Sequence, residues 1–211
     1  MPRSFKDAMI DRLLQLFLIA ETSKRGEIMG KVKLLKMAYL AEDKMVKDRL
    51  KGFNYNFYRW DYGPMSNEAL EDHEWLVNNG LVSDFPATPT KRGSEVLKEL
   101  SELFDRNRHI LDHINRIVNE FARVSGRDLR YDVYARPAPG KKIRVGDIQK
   151  GETLLSALLE KEAKETFRID AEWLETISIL MDKEFYESLQ EGVKDVREGR
   201  VKRYESLQKN V

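Results

Sequence analysis

Residues 53–66 read FNYNFYRWDYGPMS, and this stretch joins an aromatic strand pattern to a turn and a helix start. Its aromatic side chains alternate with other residues at Phe53, Tyr55 and Phe57, which is the period of a half-buried strand. Gly63 and Pro64 interrupt that pattern, and Ser66 is a residue type that caps helix N-termini. We therefore predict that the strand turns at these two residues into a helix beginning at Ser66, with Phe57 facing the core.

Helical periodicity dominates both sides of this stretch. Apolar residues recur every three or four positions over about residues 4–20, and again over about residues 30–52. A third helix is predicted over residues 66–80, where NNG provides a helix stop, and residues 81–90 are predicted to form a short two-stranded ribbon. The order helix, helix, strand, helix, ribbon, helix is typical of a winged helix-turn-helix.

The second half of the chain is also predicted to be mostly helical. A long helical stripe runs over about residues 90–124 and can break near Asn107, and further helices are predicted over about 152–166 and within 170–207. The predicted fold class is mainly α with a minor β part (α+β). It has a winged helix-turn-helix-like core, a small β-ribbon, long helices and a helical C-terminal extension.

Three regions are predicted from these patterns. They are a winged-helix domain over residues 1–135, a basic linker and helix over 136–168, and a C-terminal partner-binding tail over 169–211.

Composition limits the classes of function. The 211 residues contain 37 Lys and Arg against 36 Asp and Glu, so the chain lacks the overall positive charge that draws basic proteins to nucleic acids. Cysteine is absent, and there is no Gly-rich phosphate loop or nucleophile elbow. The apolar run LLQLFLIA at 13–20 is too short to span a bilayer. We expect a cytoplasmic, non-catalytic protein that uses no cofactor and does not enter the membrane.

Three segments, taken in order, carry a family resemblance. They are KVKLLKMAYLAE, the stretch from residue 53 to the helix ending at NNGLV, and ATPTKRGSEVL. Together they resemble the Panacea (SocA-like) antitoxin domain over about residues 5–135. The matching positions are Lys33, Leu34, Lys36, Tyr39, Leu40, Tyr62, Gly63, Pro64, Gly80, Leu81 and Val82. The resemblance implies a non-catalytic protein that binds a toxin and often represses its own operon.

The segment MDKEFYESLQEGVKDVREGRV at 181–201 is similar to the terminal segment of Phd/YefM-type antitoxins. The matching residues are Asp182, Glu184, Leu189, Glu191, Gly192, Asp195, Gly199 and Val201. In those families this segment wraps the toxin, so the second resemblance implies the same kind of partner as the first.

Two apolar stripes run along the tail at helical spacing. The upstream stripe contains Trp173, Leu174, Ile177 and Leu180, and the downstream stripe contains Phe185, Leu189, Val193 and Val196. Such stripes pack on their own domain, on a second copy of the chain, or in a partner's groove. We predict that the upstream stripe packs on this domain and that the downstream stripe binds the toxin. Val201, Tyr204, Tyr58 and Trp60 are predicted as further partner contacts.

A DNA-binding transcriptional regulator without a toxin partner is the alternative function. The helix after Ser66 contains Glu68, Glu71, Asp72 and Glu74 and no Lys or Arg, so it would be repelled by DNA and its acids are expected to meet protein or solvent. Candidate phosphate contacts lie elsewhere, at Lys31, Lys33, Lys36, Lys91 and Arg92. The other interpretation of these cations is a solvated face with acidic partners.

His109 and His113 are one helical turn apart, a spacing that can present two metal ligands on one face. A metal-dependent hydrolase would use such a pair. The helical wheel puts both histidines opposite the apolar stripe of Leu100 and Phe104, toward solvent, and exposed helix polarity accounts for them. We predict no metal site.

Overall fold

The computed structural model describes residues 3–200, which form a mainly helical fold with a small share of strand. The helices are α1 Phe5–Ser23, α2 Lys31–Lys47, α3 Asn67–Asn78, α4 Lys91–Glu99, α5 Ser101–Arg106, α6 Arg108–Phe121, α7 Gly126–Ala135, α8 Ala171–Met181 and α9 Lys183–Arg197. The strands are β1 Leu50–Lys51, β2 Phe57–Trp60, β3 Gly63–Met65, β4 Thr153–Leu155 and β5 Glu165–Thr166. Short 3-10 turns lie at Val145–Asp147 and Glu160–Glu162.

Side chains cap the helices where the sequence predicts a start. The Oγ of Ser4 accepts a hydrogen bond from the Asp7 amide at 3.1 Å, and Thr90 accepts one from the Gly93 amide at 3.0 Å. Ser66 caps α3 in the same way. Each cap satisfies one of the backbone N–H groups that a helix N-terminus leaves without an internal partner.

Residues 57–60 of the aromatic stretch form the central strand of a three-stranded sheet of order β3-β2-β4, whereas residues 53–56, also predicted as strand, pair with no strand within residues 3–200. β2 and β3 form an antiparallel hairpin in which Trp60 lies opposite Gly63. Phe57 is fully buried, as predicted, and β4 pairs with the other edge of β2. The chain turns at Asp61 and Tyr62, just before the predicted position, whereas Gly63 and Pro64 belong to β3. Ser66 then caps α3, as predicted.

The helix predicted over residues 152–166 is wrong. This segment instead forms β4 and β5, because each finds a strand edge elsewhere in the chain. β5 runs parallel to β1, and the Lys164 amide donates to the Arg49 carbonyl at 2.8 Å. Apolar residues throughout 136–168 are buried in the core, so this region is not a linker. The buried ones are Ala138, Val145, Ile148, Leu154, Leu155 and Phe167. Tertiary pairing has overridden local helix propensity here.

Two further predictions are partly correct. The helical stripe over 90–124 breaks at Asn107, as predicted, and again at Leu100, giving α4, α5 and α6. The ribbon predicted within 81–90 shrinks to one antiparallel bridge between Val82 and Pro89, closed by a hydrogen bond from the Ser83 amide to the Thr88 carbonyl at 2.9 Å.

α2 lies at the centre of the core and packs against α1, α3, α6 and α7. Its fully buried apolar residues are Leu34, Met37, Ala38, Ala41 and Met45. A single apolar cluster extends from Met9 in α1 to Ile177 and Met181 in α8. The tail prediction is confirmed for its upstream stripe, which belongs to this core.

Candidate functional site

Lys36 and Pro64, which belong to two of the segments that carry the resemblance, meet in space. The Nζ of Lys36, on α2, donates a hydrogen bond to the Pro64 carbonyl on β3 at 3.3 Å. Gly63 has a positive φ of 98°, and a Cβ at this position would lie 2.9 Å from the Tyr134 ring and 3.3 Å from the Cε of Lys36. Glycine is therefore required both by the backbone conformation and by the close approach of these two side chains.

A pocket of about 170 Å³ opens beside this contact, and we call it the Lys36 pocket. It lies between the first turns of α2, the β2–β3 hairpin and α3. Its walls are mainly apolar and aromatic, from Val32, Leu35, Trp60, Tyr62, Met65 and Leu70, with Lys31 also lining it. Lys36, Gly63 and Pro64 complete the lining.

Lys36 is 1% exposed. Burial, with a smaller contribution from the positive charges of Arg130 and Arg59, lowers the pKa of its amine to about 7. An uncharged amine is the form that a mainly apolar environment favours. Near neutral pH, Lys36 is therefore not an ordinary surface cation.

Cations lie over aromatic rings beside the pocket, and two of these rings, Trp60 and Tyr62, line it. The Arg130 guanidinium lies 4.9 Å from the Tyr62 ring centroid and 5.3 Å from that of Tyr134. Arg59 approaches the Tyr134 ring at 4.8 Å, and the Nζ of Lys150 lies 4.1 Å above Trp60. These distances are in the range of cation–π attraction.

Sequence reasoning missed Arg59, Arg130 and Tyr134. They come from β2 and α7, and only the packing of α7 on α2 and β3 brings them together. The Tyr134 hydroxyl donates to the Asp61 carbonyl at 2.9 Å and thereby holds α7 against the hairpin turn. A local signal exists only for Arg59, which lies between two aromatic residues of the predicted strand.

The two tyrosines that carry the resemblance, Tyr39 and Tyr62, have different environments. Tyr39 is 2% exposed and its ring meets Phe57 edge-on at 5.4 Å, whereas Tyr62 is 58% exposed. The motif therefore contributes a core contact at Tyr39 and a surface ring at Tyr62.

The proposed set of DNA-contacting cations is corrected at three positions. Lys33 is buried and donates to the Ala122 carbonyl at 2.6 Å, and Lys36 is buried in its pocket. Arg92 donates to the carbonyls of Asn79 and Leu180 at 2.7 and 2.8 Å. These donors satisfy backbone groups and do not face phosphates. Lys91 is exposed and lies 3.8 Å from Glu95, and Lys31 lines the Lys36 pocket.

The expectation that all the acids of α3 meet a partner or solvent is wrong for Asp72. This carboxylate is fully buried and binds Arg3 at 2.5 Å and Arg12 at 3.0 Å. The Tyr55 hydroxyl donates to it at 3.1 Å. Residue 3 and the first turns of α1 cover this part of α3, which the helical wheel of α3 alone does not reveal.

The two histidines of α6 are not both directed to solvent. His113 is 6% exposed, and its ring nitrogens are 2.7 Å from Asp48 and 3.0 Å from the His109 carbonyl. Both nitrogens are therefore engaged within the protein. Within residues 3–200, no group of three or more His, Asp or Glu side chains is arranged to hold a metal ion.

The downstream stripe lies at the surface of α9, and we call it the α9 stripe. Phe185, Leu189, Val193 and Val196 are between 44% and 62% exposed. Trp60 is 42% exposed, and Tyr58 is partly buried with its hydroxyl donating to Asn67 at 2.7 Å. Val201 and Tyr204, the remaining predicted partner contacts, lie outside the described residues.

Comparison with known proteins adds no relative. No protein-family model, curated protein or solved structure matches the chain. None of the helices within residues 3–200 has the length and apolar content needed to cross a membrane.

Proposed function

We propose that this chain is an antitoxin that neutralises a protein toxin by binding it through α9. The observation that carries the proposal is the α9 stripe. Its four large apolar side chains lie on one face of a helix, and none is buried by residues 3–200. Contiguous exposed apolar surface of this kind is characteristic of binding sites for other proteins.

The way α9 is attached supports this role. The Lys183 amide donates to the Asn79 side chain at 2.9 Å, and the Asp182 carboxylate caps the helix at the Phe185 amide. Tyr186 packs beside the Arg92 guanidinium at 5.4 Å. The start of α9 is therefore anchored to the domain through one side of the helix, and the α9 stripe remains available to a partner.

Charge defines the kind of groove that would receive α9. At 100° per residue, Glu184, Glu191 and Asp195 follow one edge of the α9 stripe, whereas Tyr186 and Arg197 lie on the other. A toxin surface that is apolar in the middle and basic along one rim would match this pattern. Binding would occlude the toxin sterically, without turnover by this chain.

The resemblances at both ends of the chain are part of this proposal. The Panacea-like motif residues and the order of the first helices favour an antitoxin domain of winged-helix type, and the 181–201 segment favours toxin binding by the tail. We do not include binding of duplex DNA, because Lys33 and Arg92 donate to backbone carbonyls and Lys36 is buried.

The test is co-expression with the product of the adjacent gene, once that product alone has been found to arrest growth. The full chain is expected to restore growth and to co-purify with the toxin. The double substitution Phe185→Asp and Leu189→Asp is expected to abolish both, because it puts two charges into an apolar contact. The matched control is Lys194→Asp, which introduces the same side chain on the opposite side of α9 and should leave rescue intact.

A chain ending at Asp182 provides a second readout. It should unfold cooperatively in a thermal melt, because α9 contributes no buried residue, and it should fail to rescue. Full rescue by this truncated chain, or by the double variant, would overturn the proposal.

A further inference from the structure

The size of the Lys36 pocket limits what it can enclose. Its volume of about 170 Å³ is what about five or six molecules occupy in liquid water. Pockets that enclose a whole drug-sized ligand are larger, at roughly 300–1,000 Å³. One ring system fits, and the rest of a ligand would lie outside on the rim. Among the described residues, no acidic side chain lines the pocket.

Arg59 and Arg130, which we call the rim of the pocket, have positive charges that nearby carboxylates do not neutralise. Two carboxylates nearby are already paired, Asp61 with Lys150 at 2.7 Å and Asp132 with Arg136 at 2.6 Å. Arg59 and Arg130, which share the Tyr134 ring, have no carboxylate within ion-pair distance among residues 3–200. The repulsion between two such guanidinium groups is relieved when an anion binds them.

Two further observations also favour the binding of an anion here. The Nε of Arg59 is buried and has no hydrogen-bond partner within the described part of the chain. The α2 N-terminus, the positive end of that helix, lies at the pocket, because Lys31 and Val32 are its first two residues and both line it. No side chain caps this end, where Gly30 is the N-cap residue.

Aromatic rings and cations lie side by side here, and this combination favours a ligand that has both an aromatic ring and a negative charge. Trp60 and Tyr62 line the pocket and are side chains on which an aromatic ring can stack, and the Arg130 guanidinium lies 4.9 Å from the Tyr62 ring centroid. The Nζ of Lys36 uses one hydrogen bond on Pro64 and has capacity for another with a polar ring edge. A planar heterocycle with a phosphate a few ångströms away matches all of these groups.

We propose that the Lys36 pocket binds a nucleotide, with the base between Trp60, Tyr62 and Leu35 and the phosphate on Arg59 and Arg130. This site is independent of the α9 stripe, so it can exist whether or not the chain neutralises a toxin. Base stacking combined with phosphate contacts by Arg is the chemistry that proteins use for unpaired nucleotides. A free mononucleotide and a single-stranded nucleic acid both present it.

The experiment is a calorimetric titration of the full chain with AMP, GMP, CMP and UMP in turn. Adenosine and inorganic phosphate are titrated separately, and a short single-stranded oligonucleotide forms a further arm. At least one mononucleotide is expected to bind at least tenfold more tightly than adenosine or phosphate alone. An oligonucleotide that binds tenfold more tightly still, through the same residues, would identify nucleic acid as the source of the nucleotide.

Three variants make the result specific. Arg130→Ala should weaken nucleotide binding at least tenfold, whereas Arg127→Ala, one turn away on the exposed side of α7, should not change it. Leu70→Trp fills the pocket and leaves the arginines in position, so it should remove the preference for nucleotide over phosphate. Thermal melts check that each variant is folded.

Any one of three outcomes would overturn the inference. The first is that no nucleotide or oligonucleotide gives saturable binding to the full chain. The second is that phosphate binds as tightly as every mononucleotide. The third is that Arg130→Ala and Arg127→Ala have the same effect.

Discussion

Two lysines and one glutamate of α2 lie inside the protein, and each is accommodated differently. Lys33 reaches a backbone carbonyl of Ala122, and Lys36 lies in a mainly apolar pocket where its pKa falls. Glu42 is 1% exposed, and neither of its carboxyl oxygens has a hydrogen-bond partner within residues 3–200. Burial, followed by the negative charge of Asp11, raises the pKa of Glu42 well above its ordinary value. The protonated, uncharged form avoids the cost of an isolated buried charge.

The lowered pKa of Lys36 predicts a pH dependence of stability. Because its pKa is 10.5 in the unfolded chain and about 7 when folded, the unfolded state binds more protons between these values. The contribution of Lys36 to the unfolding free energy therefore rises with pH across this window and is lost as pH falls toward 7. We expect a gain of about 1 to 2 kcal/mol from pH 7 to pH 9.

Lys36→Met keeps the length of the side chain and removes the titration. Urea unfolding at both pH values is the measurement, and the difference between wild type and variant isolates this residue from the other groups that titrate. Equal pH slopes in the two proteins would contradict the assignment of a lowered pKa to Lys36.

At the scale of elements, Asn107 marks the break between α5 and α6 and joins it to a distant segment. Its Nδ2 donates to the Leu103 carbonyl at 2.8 Å and to the Arg168 carbonyl at 2.9 Å. Its Oδ1 accepts from the Arg168 amide at 2.5 Å. Because Asn107 bonds to the backbone of both α5 and the segment after β5, it fixes where α5 ends and where that segment packs.

Asn107→Ala should therefore destabilise the fold by about 2 to 4 kcal/mol, since it removes three hydrogen bonds and leaves backbone groups without partners. Chemical denaturation measures this loss. Asn78→Ala, at the exposed end of α3, is the matched control and should stay within about 0.5 kcal/mol of wild type. A loss below 1 kcal/mol for Asn107→Ala would mean that the segment is held by its apolar contacts alone.

At the scale of the whole molecule, Asp72 connects parts of the chain that are far apart in sequence. Arg3 and Arg12 bind it from the N-terminal side, and Tyr55 binds it from the aromatic stretch. Asp11, also fully buried, binds Arg3 at 2.7 Å and accepts from the Asn54 amide at 2.7 Å. The network thus fixes the start of α1 against α3 and against the chain that enters β2.

Asp72→Asn removes the shared negative charge and leaves two arginines partly buried without it. The expected loss of unfolding free energy is about 3 to 5 kcal/mol, the range for breaking one side of a buried ion pair. Glu71→Gln, at the exposed neighbouring position, is the control and should have little effect. If the two variants lost the same small amount of stability in urea, the network would not hold the fold together.

The sequence by itself determined the local structure of this protein. The caps at Ser4, Ser66 and Thr90, the break at Asn107, a turn within two residues of Gly63 and the apolar faces of the helices all follow from interactions within a few residues. These signals are readable because each depends on near neighbours along the chain. The mainly helical class with a small sheet followed from them.

Only the tertiary structure decided which residues meet across long distances. It placed the short strands β4 and β5 within residues 152–166, because β1 and β2 offered edges that local propensity does not encode. It buried Lys33, Lys36 and Asp72, which looked like surface charges, and it brought Arg59, Arg130 and Tyr134 to one rim. The sequence does not show whether a charged side chain is covered by solvent or by another helix. The candidate sites therefore became visible only from the packing of α2, α7 and the hairpin.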